Sequence, residues 1–102
     1  MITIGNKRNG DMGIYVGRPS PLGNPFEIGE DGTRSEVISK YREWFYTRGV
    51  KLLKVQKELQ RLRQLHALSG SLCLLCWCSP QPCHAEVIKE YLDRERMLYE
   101  TD

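Results

Sequence analysis

The run "LCLLCWC", residues 72–78, constrains the fold more than any other feature. It is unbroken by a polar residue and lies between the turn "SGS" (69–71) and the loop "SPQP" (79–82). An apolar run of that length, bounded by turns, reads as a strand buried on both faces. Earlier in the chain "MGIYVG" (12–17) is β-branched and aromatic and closed by glycines, a second strand signal. Between the two lie a loop and two helical patterns. Strands joined through a helical layer pair in parallel with a right-handed crossover. Their C-terminal ends then emerge at one edge of the sheet, where open α/β sheets hold ligands.

The first helical pattern opens on a capping box, Thr33 with Glu36. Behind it Val37, Ile38, Tyr41, Trp44 and Phe45 recur at helical spacing to about Arg48, which predicts that Trp44 and Phe45 are core. Gly49 breaks this helix. Leu52, Val55, Leu59, Leu62 and Leu65 mark a second helix to about Leu68, with Lys51, Lys54, Lys57, Arg61 and Arg63 on its wet face. Val87, Ile88, Tyr91, Leu92 and Leu98 mark a third, from about Cys83 to Tyr99. Met1–Ile4 alternates weakly and reads as a short edge strand. A chain of 102 residues supplies one modest core. The expected fold is a single α/β domain (1–102) with a small, mainly parallel, Rossmann-like sheet.

Charge and composition narrow the classes of function. Lys and Arg number 15 against 13 Asp and Glu, too slight an excess for a nucleic-acid stripe, so nucleic acid is not the expected partner. No stretch reaches the roughly 18 apolar residues of a membrane span. "MITIGNKRNG" lacks the apolar core of a signal peptide, so a cytoplasmic location is expected. There, the four cysteines between 73 and 83 are thiols or metal ligands rather than structural disulfides.

Two loops carry the candidate chemistry. The first, "RPSPLGNPFEIGEDG" (18–32), is long and rich in proline and glycine, and long loops in compact domains tend to be functional. Gly17 and Gly23 permit close backbone approach. Arg18 offers a planar fork of donors for phosphate or carboxylate, and Ser20 and Asn24 add short polar groups. The Walker lysine and the full dinucleotide fingerprint are absent, so the loop also reads as a plain ordered crossing of the sheet edge.

In the second loop, "CWCSPQPCH" (76–84), strand alternation puts Cys76 and Cys78 on one face. Trp77 and Cys73 fall on the other, Cys73 as a buried hydrophobe. Cys83 and His84 sit where the last helix begins, a place whose dipole and free N–H groups bind anions and lower a thiol pKa. Cys83 is therefore the candidate nucleophile and most reactive thiol, with His84 as acid or base. Gly17, Arg18, Ser20, Gly23, Asn24, Cys76 and Cys78 are the candidate ligand-binding residues. Zinc is the competing use of Cys76, Cys78, Cys83 and His84, which supply a tetrahedral count. One residue between the first pair and none between the second strain such a site, so no metal or other cofactor is expected.

These motifs resemble a family of small proteins of unknown function from bacteria and phages. Its members carry "YIGR-x-SPLGNPF", a "YREW"-like helix and a closing "L-x-CWC-x-P-x-PCH". This chain reads "IYVGRPSPLGNPF", "VISKYREWF" and "LLCWCSPQPCHAEVI", over roughly residues 14–92. The resemblance brings no established chemistry and implies only that both loops belong to one chain. The charged helix at 50–68 is longer than the family's usual spacer. The function expected from the residues is binding of a small anionic metabolite, a nucleotide or nucleotide-derived molecule. In one variant the protein is a hydrolase or transferase acting on it, and in another it sequesters or senses it. The reading from a different class is a zinc-stabilised interaction or nucleic-acid-binding module.

Overall fold

Leu72–Cys76 (β3) forms the middle strand of a three-stranded, wholly parallel sheet in this computed structural model, which describes residues 1–79 and 81–100. On one side lies Ile2–Asn6 (β1), with Ile2 opposite Leu72 and Asn6 opposite Cys76. On the other lies Ile14–Tyr15 (β2), opposite Leu74 and Leu75. Three α-helices complete the fold among the described residues: Arg34–Thr47 (α1), Leu53–Ser69 (α2) and Ala85–Glu100 (α3). This is the small parallel α/β fold expected, with the apolar run as its central strand.

Both strands flanking the site are shorter than their sequence signals. The 12–17 segment pairs only through Ile14 and Tyr15, followed by a bond from Val16 N to the Leu75 carbonyl at 3.0 Å. Gly13 passes so close to β3 that a Cβ there would lie 2.4 Å from the Cys73 carbonyl oxygen. The 72–78 segment leaves the ladder after Cys76. Past that point the buried Asn6 side chain takes over, its Nδ2 donating to the carbonyls of Ser79 at 2.6 Å and Trp77 at 3.4 Å. A side-chain partner replaces the neighbouring strand, and the chain turns outward. Of the "SPQP" loop, Pro80 lies outside the described residues, while Gln81 N donates to the Cys78 carbonyl at 2.8 Å.

The capping box at α1 is formed in both directions: Thr33 Oγ1 accepts from Glu36 N, and Glu36 Oε1 accepts from Thr33 N. Val37, Tyr41 and Phe45 are buried on its inner face. Full burial of a Phe side chain contributes about 1.5–3 kcal/mol, so this stripe anchors the helix. Trp44, expected in the core beside Phe45, packs against that core, its ring centroid 5.7 Å from that of Tyr41, but is only half-buried, with Gly49 also against it. In α2 the buried positions are Val55, Leu59 and Leu62, and the helix stops at Gly70 in the left-handed region (φ 78°). The third stripe buries Val87, Ile88 and Leu92 against the sheet but leaves Leu98 at water. α3 packs on β1 and β3, and α2 on β3. No described helix is long and apolar enough to cross a membrane.

Candidate functional site

The parallel arrangement brings the chain beyond β2 and the chain beyond β3 to one edge, where they enclose a cleft of about 560 Å³. Gly17, Arg18, Asn24, Cys76, Cys78, Cys83 and His84 all line it. Ser20 and Gly23 do not. Ser20 shapes the turn instead: its N–H donates to the Gly17 carbonyl and its Oγ accepts from Leu22 N. Gly23 is needed because a Cβ there would meet the Arg18 backbone nitrogen at 2.9 Å. Asn24 reaches the cleft with its amide already engaged. Its Oδ1 accepts from Phe26 N at 2.9 Å and its Nδ2 donates to the Val37 carbonyl at 3.3 Å, tying the loop to α1.

Arg18 projects at the mouth with its Nη1 2.9 Å from Glu27 Oε1, both side chains more than half exposed. A pair so exposed contributes about 0–1 kcal/mol, so the guanidinium is exchangeable with an incoming anion. Arg34, the first residue of α1, reaches across the cleft to donate to the Pro82 carbonyl at 3.2 Å. Phe26, Ile38 and Pro82 add apolar wall between the polar groups.

His84 is oriented by two contacts. Its Nε2 lies 2.8 Å from the Val16 carbonyl oxygen, and a carbonyl only accepts, so Nε2 carries the proton. Nδ1 is then the acceptor and faces Cys83 Sγ at 3.8 Å. The ring also meets Tyr41 edge-on, centroids 5.1 Å apart. Burial holds the His84 pKa below its ordinary value, with the Arg18 charge acting the same way and the Val16 bond acting against both. The imidazole in the cleft is neutral.

Cys83 differs from the dipole-activated thiol expected at the start of the last helix. Its side chain is buried, 3% exposed, and burial pushes its pKa well up. The N–H of Ala85 bonded to Sγ at 3.3 Å opposes this, while neighbouring Cys76 and Cys78 reinforce it. Nor are the terminal N–H groups of α3 open to an anion. Ala85 N is taken by Cys83 Sγ, Glu86 N by the Cys83 carbonyl and Val87 N by the His84 carbonyl. The Glu86 carboxylate completes the set by accepting from Cys83 N at 2.9 Å. Cys83 thus acts as the hydroxyl does in a capping box, with Glu86 as its reciprocal partner.

Trp77 lines the cleft together with Cys76 and Cys78, contrary to the alternation argument, because β3 has ended before it. Among the described residues no group of three or more His, Cys, Asp or Glu side chains is arranged to hold a metal ion. Residues 3–94 match the model of a family described as a domain of unknown function, DUF4326. The chain belongs to that family. The match agrees with the family of unknown function that the two loop motifs resemble. No curated protein and no solved structure matches the chain.

In this DUF4326 domain, sequence reasoning missed Arg34, Tyr15, Phe26 and Trp77 as cleft residues. Arg34 was within reach of a signal: it directly follows the N-cap of a helix. Tyr15 carried none, since nothing local says that its hydroxyl accepts from Trp77 Nε1 at 3.0 Å across 62 residues of chain.

Proposed function

We propose that this protein binds a nucleotide or nucleotide-derived anion in the cleft at the C-terminal edge of its sheet, in the cytoplasm. The observation that carries the reading is the pair of guanidiniums around one cleft, Arg18 on the first loop and Arg34 at the start of α1, with Glu27, paired to Arg18, the single carboxylate in the lining. Its size is within the roughly 300–1,000 Å³ of small-molecule sites, and its mixture of apolar wall and few polar groups suits a ring bearing an anion. Four free thiols suit a reducing compartment.

Anion recognition falls to the arginines because the first N–H groups of α3 are occupied by Cys83 and His84, just before the helix. Each guanidinium–phosphate contact contributes about 1.5–3 kcal/mol, a factor of roughly 10–100 in affinity. Calorimetric titration of a nucleotide panel, preceded by a thermal-shift screen, is the test. Binding weakened at least tenfold in both R18A and R34A supports the reading. Binding unchanged in both variants refutes it.

The contact of Cys83 Sγ with His84 Nδ1 favours a second reading, in which the bound ligand is turned over by hydrolysis or group transfer with Cys83 as nucleophile and His84 as base. Burial of the thiol weighs against it. Turnover of a bound nucleotide that disappears in C83S, with binding retained, would establish the enzyme.

A further inference from the structure

We propose that Trp77 and Tyr15 at the rim of the cleft, with Lys7 and Arg8 beyond them, form a second ring-and-phosphate subsite, so that the ligand is two nucleobases joined through phosphate. The inference rests on the nucleotide reading above and narrows it. Trp77 remains 46% exposed, yet it is held in place. Its Nε1 donates to Tyr15 Oη at 3.0 Å, and Tyr15 Oη donates to the Arg18 carbonyl at 2.8 Å. The two rings meet edge to face, 6.1 Å apart at 67°. That hydroxyl fits only because residue 17 is glycine, since a Cβ there would lie 2.4 Å from it. Below, the Trp77 carbonyl is fixed by Asn6. The outer aromatic pair is thus wired to the backbone of Arg18, whose guanidinium stands at the cleft mouth.

Two cations stand over this platform. Lys7 Nζ is 4.4 Å from the Tyr15 ring centre and 5.6 Å from that of Trp77, and the Arg8 guanidinium is 5.9 Å from Trp77. Neither is ion-paired among the described residues. Lys7 occupies the Tyr15 face, so the base stacks on the partly exposed Trp77 ring and the cations take the linking phosphate by charge, without reading the base. Tyr15 and Trp77 form the rim of the cleft, whereas Lys7 and Arg8 line no part of it, so a mononucleotide held by Arg18 and Arg34 would leave the outer surface of this group unused. A second nucleoside would cover it. Recognition here uses ring faces and side-chain cations, not the glycine fingerprint that the chain lacks.

The experiment titrates the full chain with AMP, with pApA for a phosphodiester link, and with diadenosine pyrophosphate for a pyrophosphate link. At least one dinucleotide should bind tenfold or more tightly than AMP, and which one does identifies the linkage. W77A should shrink that margin to within twofold, and W77F, which keeps a ring, should restore most of it. Should W77A fail to fold, the K7A/R8A double variant, altering only exposed side chains, should shrink the margin likewise. No margin in the wild type, or a margin intact in these variants, overturns the second subsite while leaving the nucleotide reading in place. Failure of all three probes to bind overturns both.

Discussion

Replacing Asn6 with Ala removes three hydrogen bonds from one buried side chain at the end of β1. Its Nδ2 donates to Ser79 O at 2.6 Å and Trp77 O at 3.4 Å, and its Oδ1 accepts from Arg8 N at 2.8 Å. A hydrogen bond of this kind contributes about 0.5–1.5 kcal/mol net, and a partner left buried and unpaired costs about 1–3 kcal/mol. Two of the bonds are short and the third is long, and the loop carbonyls are only part-buried, so water recovers some of the loss. The expected destabilisation is about 2–3 kcal/mol, or roughly 10 °C in Tm for a domain of this size. N6D separates the two ends of the side chain. It keeps an acceptor for Arg8 N but sets a carboxylate oxygen against two carbonyls, so it should lose at least as much as N6A. Urea denaturation of the three proteins, with equal m-values checked, gives the comparison. A midpoint for N6A within about 0.5 kcal/mol of wild type would refute the role of Asn6 in holding the loop. So would an N6D protein as stable as the parent.

Three further outcomes follow from the same contacts. Tyr41→Phe removes the buried bond from Tyr41 Oη to the Leu22 carbonyl at 2.7 Å and should cost about 1–3 kcal/mol by denaturation, since Leu22 O loses that partner in the core. His84 is held neutral, so the unfolded chain takes up the proton first; stability should be full above about pH 6.5 and fall as pH drops below it. In H84Q that part of the slope between pH 6.5 and 5 should vanish, and an unchanged slope would show that His84 titrates alike in both states. Alkylation of the folded protein, followed by mass spectrometry, should label half-buried Cys73 and Cys78 before buried Cys76 and Cys83. Cys83 labelling first would overturn the burial argument and restore its candidacy as a nucleophile.

What the sequence alone determined is local or topological. The capping box at 33–36 is read directly because its partners are three residues apart. The inner faces of α1 and α3 follow from periodicity, and the strand 72–76, buried except at half-buried Cys73, follows from its length and its turns. The convergence of the two motif loops also follows, because a helical crossover forces parallel pairing and parallel strands end at one edge. The ionisation of the site was decided by tertiary structure alone. A helix N-terminus favours a thiolate, but the Cys83 sulfur is buried among groups brought from elsewhere in the chain, and desolvation outweighs the dipole. The same holds for the face of Trp77. Alternation applies only while a strand continues, and β3 ends where Asn6, 71 residues earlier in the chain, takes hold of the Trp77 carbonyl. Periodicity extends only as far as the backbone ladder that enforces it, and the end of that ladder is set by a contact between segments that no local pattern relates.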